Sequence, residues 1–314
     1  MFLSRILCFL YTIAIAIGGV KALVDPTEVY NGDFTLASID ALLRIADALA
    51  DTFIQDRVQN GSQPFSIGWV LGDTTFTIKN LQSGEADLGI SYVPAAEKIA
   101  VDQGIIDSKT GRYYLFRDHF IIAGPPENPA GVNDTMDATT IFAKIYQAGE
   151  LNAAKTVVPT RFLTRYDKSA TNLKEAQLWL GIGQVPWGLP YSTWYDQSPA
   201  FPIQALSTAS LLREYTLTDR GTYLSLEQLQ PNLINALSQF KVGTDSEDDP
   251  LLLPGHLLVG RKARNATLAY QFANWATSAR GQSVVTGFQK NDRKSRGYIL
   301  EHIFQKRNKR KFSM

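Results

Sequence analysis

Phe162-Leu163-Thr164-Arg165-Tyr166-Asp167-Lys168-Ser169-Ala170-Thr171-Asn172-Leu173-Lys174-Glu175-Ala176-Gln177-Leu178-Trp179 is the stretch on which the reading of this chain turns. Residues 157–163, apolar and partly β-branched, read as a buried strand leading into it. Beyond the loop, Leu173, Ala176, Trp179 and Leu180 recur at helical spacing, and Ser169 or Thr171 can cap that helix. A strand feeding a helix through such a loop turns unpaired N–H groups and the positive helix end towards one spot. One arginine and two hydroxyl residues stand there, which is an anion site in outline. The plainer reading of the same residues is a capped surface helix with a solvated arginine, since short motifs often arise by accident.

The rest of the chain limits what such a site can serve. With 314 residues, 45% hydrophobic and 19% charged, the chain is globular and long enough for one large or two ordinary domains. The net charge of +1 conceals an imbalance. From Lys290 onward nine basic residues face two acidic ones, whereas residues 25–289 hold twenty basic against twenty-eight acidic. An acidic body argues against a nucleic-acid partner, so a bound anion must be held by local geometry and not by the overall field. The basic tail 290–314 reads as a disordered extension.

Residues 1–22 read as a signal peptide. Arg5 precedes the apolar run Ile6–Val20, too short for a membrane span, and Val20-Lys21-Ala22 offers small residues for cleavage. Cys8 lies inside that segment, so the mature chain has no disulfide. The expected protein is secreted. In an exported chain Asn60, Asn133 and Asn265, each heading an Asn-x-Ser/Thr triplet, are candidate glycosylation sites and favour a eukaryotic source.

Strands and helices alternate along the body, which indicates an α/β fold. Strands are expected over 65–70, 88–92, 113–116, 120–123 and 214–217. Helices are expected over 77–82, 94–103, 137–147, 205–212 and 268–278, and Thr218-Asp219-Arg220-Gly221 reads as a turn. Residues 181–195 form an aromatic loop, either a wall over a ligand or ordinary packing. Residues 38–54 allow two parses. One is a single helix capped by Ser38, with Ile39, Leu42, Leu43, Ala46, Leu49 and Phe53 on its stripe. The other is a strand Ala41–Ile45 running into a helix Asp47–Ile54.

Residues 162–171 resemble the second anion loop of the tungstate-binding proteins of ABC transporters, roughly F-[VL]-S-R-x-D-x-S-G-T before a helix containing L-W. Those proteins are type II periplasmic binding proteins. Three further blocks agree in order: Gly84–Ile90, Phe120–Gly131 and Tyr215–Tyr223. The resemblance covers residues 65–288. It implies an α/β, two-lobed type II periplasmic-binding-protein-like fold with a ligand cleft between the lobes. Lobe 1 would be 25–123 plus 218–289, and lobe 2 would be 124–217. It implies capture of a small tetrahedral oxyanion (tungstate or molybdate, with sulfate and phosphate as further candidates) by a monomer without cofactor. The partner would be a membrane transporter if the chain is bacterial. Arg165 would supply charge; Ser169, Thr171, Thr74 and Thr75 would supply donors. Ala170 replaces the family's glycine.

The same resemblance calls for a first anion loop rich in Gly, Ser and Thr between the first strand and helix. None stands between Ile45 and Ala48, and Asn31-Gly32-Asp33-Phe34-Thr35 is the nearest substitute. The expectation is therefore weak binding or none. Enzyme chemistry has little support. His119, His256 and His302 are scattered, no nucleophile elbow, Walker loop or dinucleotide fingerprint is present, and His119 in an apolar strand reads as a core histidine. A secreted surface protein that kept the fold without the ligand is the alternative, and an enzyme on the same fold is a more distant one.

Overall fold

The computed structural model describes residues 34–38, 43–71, 73–108, 110–151 and 156–287. Phe34–Ser38 (β1) lies parallel between Ile67–Leu71 (β2) and Leu88–Ser91 (β3). Parallel neighbours need long crossovers, and the helices Leu43–Gln59 (α1) and Thr74–Ser83 (α2) supply them. The helix Pro94–Asp102 (α3) starts on a proline, whose missing N–H costs nothing in a first turn.

Arg112–Gly124 (β4) is one strand of thirteen residues where two short strands were expected. The polar run Arg117-Asp118-His119 breaks the apolar pattern but not the backbone, because each side chain has a partner. Arg117 and His119 both reach Asp245, at 2.9 and 3.0 Å, and Asp118 accepts the N–H groups of His119 and Gly221.

This strand takes different partners along its two halves. Residues 112–119 pair antiparallel with Leu252–Val259 (β9), which also pairs with β3. Residues 120–124 pair with Thr216–Asp219 (β7) and Ser238–Val242 (β8). The sheet order is β2-β1-β3-β9-β4-β7, with β8 also on β4. Phe162–Thr164 (β5) and Tyr195–Gln197 (β6) form a separate parallel pair, tied to the larger sheet by a bridge between Phe162 and Tyr215. Gly124 ends β4 against the Tyr215 ring, where a Cβ would lie 2.3 Å from Cδ1.

The remaining helices are Ala138–Glu150 (α4), Ala170–Gly181 (α5), Pro202–Leu212 (α6), Arg220–Leu229 (α7), Pro231–Ile234 (α8), Ala266–Ala276 (α9) and Ala279–Gly287 (α10). In one lobe α1 and α9 pack through Phe53 and Phe272, with ring centroids 5.2 Å apart. In the other, fully buried Trp179 gathers Phe142, Phe162 and Trp194 at 4.4, 5.2 and 5.5 Å. The aromatic loop is therefore used for packing. Trp194 and Tyr195 are buried against Trp179, while Tyr191 stays exposed.

Several expectations need correction. Leu43 begins α1, so residues 43–45 of the expected strand Ala41–Ile45 are helical and no loop interrupts residues 45–48. The strand preceding α1 is β1, and Ser38 ends it instead of capping a helix. The connection between them, Ile39-Asp40-Ala41-Leu42, lies outside the described residues, as do the signal segment 1–22, Asn31–Asp33 and the basic tail. The buried strand expected over 157–163 shrinks to β5, and Val157 is fully exposed. The buried face of α5 is Ala170, Thr171, Glu175, Leu178 and Trp179, while Leu180 is 58% exposed. Residues 218–221 are no turn: Thr218 and Asp219 end β7, and Arg220 starts α7 at once. Among the described residues no helix is long and apolar enough to cross a membrane.

Candidate functional site

β5 ends at Thr164, and the next five residues form the loop that delivers the chain to α5. Tyr166 and Lys168 adopt left-handed backbone at φ 48° and 61°, a region that side chains with a Cβ disfavour. Local hydrogen bonds hold them there. The Tyr166 N–H donates to Thr164 Oγ1 at 3.2 Å, and the Lys168 N–H to Asn172 Oδ1 at 3.2 Å. Ser169 caps α5, its Oγ accepting the Asn172 N–H at 3.2 Å, and its own N–H donates to Asp167 Oδ1. Ala170 is the first helical residue and has no positive φ, so the alanine fits where the resemblance has glycine.

Arg165 is 11% exposed at its side chain. Its Nη2 donates to Asp167 Oδ2 at 2.5 Å and its Nε to the Ala200 carbonyl at 3.2 Å. It shares a pocket with Thr171, also buried, together with Pro202, Ala205 and Leu206 at the start of α6 and residues 216–219 of β7. Asp219 is an acidic group on that wall. Its carboxylate is engaged by Thr222, whose N–H and hydroxyl donate at 2.7 and 2.6 Å.

Across the cleft stands the first turn of α2. Asp73 caps it by accepting the Phe76 N–H at 2.9 Å. Burial pushes the Asp73 carboxyl up and the Asp167 charge adds to that, while bonds to Phe76 and Thr75 and the Arg165 charge oppose. The two lobes' charges thus act on each other. Thr75, exposed, donates to the Lys168 carbonyl at 3.3 Å. Thr74 is 1% exposed and its Oγ1 has no hydrogen-bond partner. A buried hydroxyl left without a partner costs about 1–3 kcal/mol, and Thr77 on the same helix carries a second one.

Of the five residues expected at the site, Arg165 and Thr171 line one pocket, and Thr75 meets the Arg165–Ser169 loop from the other lobe. Ser169 acts as the helix cap, and Thr74 sits beside Thr75 at the α2 start. Sequence reasoning missed Asp167 as the arginine's partner; an acid two residues after an arginine on a tight loop was the available signal. Of the candidate glycan sites, Asn60 and Asn133 are exposed, whereas half-buried Asn265 caps α9. Among the described residues no group of three or more His, Cys, Asp or Glu is placed to hold a metal ion.

A family model described as a PBP superfamily domain matches residues 35–280. A crystal structure of a periplasmic protein described as a candidate metal binder is 48% identical, covers 85% of this chain and 96% of its own, and has a TM-score of 0.77. The tungstate-binding protein TupA of Desulfovibrio alaskensis G20 is 25% identical over 82% of this chain and 94% of its own, with a TM-score of 0.62. TupA of Campylobacter jejuni is 25% identical over 71% of this chain and 77% of its own length. The chain spans 59% of the length of a curated relative from Haloferax volcanii, a proposed ABC-transporter anion-binding protein, at 28% identity over 69% of this chain.

Proposed function

This chain belongs to the PBP superfamily, and on that premise we propose that it captures a small tetrahedral oxyanion, tungstate or molybdate first, in the cleft between its lobes. The observation that carries this reading is convergence. The positive start of α2, with Thr74 and Thr75, meets the start of α5, with Arg165, Ser169 and Thr171, and the Thr75–Lys168 bond closes the gap. Anion recognition by TupA relatives supports it. Arginine and hydroxyl groups suit tetrahedral oxyanions generally, and since the hydroxyl oxygens and Asp219 on the pocket wall also accept, the donor set alone does not exclude phosphate. A metal arriving as its oxyanion needs no cluster of His, Cys or carboxylate ligands.

The lobes are taken as 25–123 plus 218–289 and 124–217. The signal segment 1–22, secretion, a monomeric state, glycans on Asn60 and Asn133, and a membrane transporter as partner in a bacterial setting belong to the same reading. Binding is expected to be weak, because the link between β1 and α1, Ile39-Asp40-Ala41-Leu42, contains no Gly, Ser or Thr donor. Two or three missing charge-assisted bonds at about 1.5–3 kcal/mol each lower affinity by several powers of ten. Calorimetry with tungstate, molybdate, sulfate and phosphate tests the proposal. Heat from none of the four overturns it in favour of a surface protein that kept only the fold, and turnover of a carboxylic or phosphate ester would favour an enzyme.

A further inference from the structure

Glu175 is the one acidic side chain on the buried face of α5, and it is 2% exposed. Its Oε1 accepts from Trp179 Nε1 at 3.0 Å and Tyr195 Oη at 2.7 Å; its Oε2 accepts from Thr164 Oγ1 at 2.7 Å. Thr164 is the fully buried last residue of β5, next to Arg165. The proton directions follow from the donor set. The Tyr166 N–H and Asn172 Nδ2 both donate into Thr164 Oγ1, at 3.2 and 3.3 Å, so its two lone pairs are used. Its single proton must then point at Glu175. Indole Nε1 can only donate, so Oε1 must accept there as well.

We propose that Glu175 is a positioning residue for oxyanion capture: it fixes the Thr164 hydroxyl, which holds the Tyr166 N–H and Asn172, and through them the left-handed loop carrying Arg165. The path is continuous, because Asn172 Oδ1 in turn accepts the Lys168 N–H and its own N–H donates to the capping Ser169 Oγ. Two left-handed residues within three positions do not persist unless their surroundings enforce them. The groups facing Glu175 are Thr164 from β5, Tyr195 from β6 and Trp179 from α5, with the Asp167 charge acting on it from the loop. Glutamine has the same shape but cannot replace it. Turned either way, its NH2 meets a donor at Thr164 or at Trp179.

The inference rests on the oxyanion reading, and its test separates the two. Amide hydrogen exchange of E175Q without ligand is expected to quicken at least tenfold at Tyr166 and Lys168, with the β4 and β9 amides unchanged. Tungstate affinity, by calorimetry, is expected to fall at least tenfold, while Thr164→Ser, which keeps the hydroxyl, stays near the wild type in both. Unchanged exchange at Tyr166 and Lys168 overturns the role of Glu175, whatever the anion does. Quickened exchange with unaltered tungstate affinity overturns its link to capture. A wild-type protein that binds none of the four anions overturns the capture reading, and exchange alone then decides whether Glu175 holds the loop. Should E175Q fail to fold, Thr164→Val, which removes the middle of the path, is expected to give the same local quickening.

Discussion

The Thr75 hydroxyl donates to the main-chain carbonyl of Lys168 at 3.3 Å, although 93 residues separate them in sequence. Thr75 starts the helix that crosses between β2 and β3, and Lys168 stands in the loop that follows β5. The bond therefore links the two lobes at the place where both aim helix starts at one another. The side chains around it can be tested singly.

Arg165→Ala is expected to remove measurable tungstate binding. Charge-assisted hydrogen bonds contribute about 1.5–3 kcal/mol each, so losing one arginine contact costs roughly a factor of ten to more than a hundred, and a bidentate contact costs more. Arg165→Lys keeps the charge but loses the planar fork, and an intermediate affinity is expected. Titration calorimetry on both variants reads the order; an alanine variant that binds like the wild type would remove Arg165 from the site.

Thr74→Val separates a ligand-binding hydroxyl from a structural one. Thr74 Oγ1 is buried and unpartnered, so an isosteric apolar replacement should leave stability unchanged or raise it by up to about 1–3 kcal/mol. Tungstate affinity should nevertheless fall at least tenfold. Thermal unfolding and calorimetry on the same preparation give both numbers. A variant that loses stability and keeps affinity contradicts the assignment.

Stability should fall as pH rises from about 4 to 7. Burial, with the Asp219 charge adding to it, pushes Asp118 up from an ordinary 3.8 to about 7, and burial likewise pushes Glu175 to about 7. Between the unfolded and folded values the native chain holds more protons than the unfolded chain, so stability decreases with pH in that window. The contribution is complete below pH 4 and lost above 7. Asp47, pushed up to about 6, and Glu214, pushed up to about 8, add to the trend, whereas burial pushes His119 down and opposes it just below 6.5. Asp56 and Asp137, held below their usual range by Arg280 and by Thr140, oppose it at more acid pH. Urea midpoints should therefore be higher at pH 5 than at pH 7.5, and Asp118→Asn should flatten the slope.

Gly124→Ala should destabilise the junction between lobes by about 1–3 kcal/mol, the usual cost of overfilling a packed site. A Cβ there meets three atoms of the Tyr215 ring within 3 Å. That ring is pinned at its far end, where Tyr215 Oη donates to Asn128 Oδ1 and accepts the Ala130 N–H. Denaturant unfolding measures the loss, and an unchanged midpoint would show that the ring gives way freely.

The sequence carried the order of elements well and their phase poorly. Alternating strands and helices were visible, but β9 was missed because Pro254 and Gly255 interrupt Leu251-Leu252-Leu253 and Leu257-Leu258-Val259. β4 was split because a charged run looks like a break unless its partners, here Asp245 and the Gly221 N–H, are known. α5 was rotated on its axis by the assumption that apolar residues mark the buried face. In fact Glu175 occupies that face, which only its three donors explain. Arg165 and Thr171 were legible from a local motif. Their distance from Thr75 was not, since it depends on how two lobes fold onto one strand.

Arg165 already holds Asp167 through Nη2 and the Ala200 carbonyl through Nε, so on the oxyanion reading an incoming ion meets the remaining guanidinium N–H groups beside a resident carboxylate. The guanidinium already holds a carboxylate tethered two residues away, and a short tether sets an effective concentration of roughly millimolar or more. For Nη2, an incoming ion would compete with that resident partner. On the oxyanion reading, a singly charged ion such as chloride or acetate offers no more charge than Asp167 and lacks its tether, so it is expected to compete poorly. A doubly charged oxyanion brings more charge and more acceptor oxygens to the same fork. On that reading the loop would select by valence as well as by shape, while Asp167 keeps the Ser169 N–H through its Oδ1.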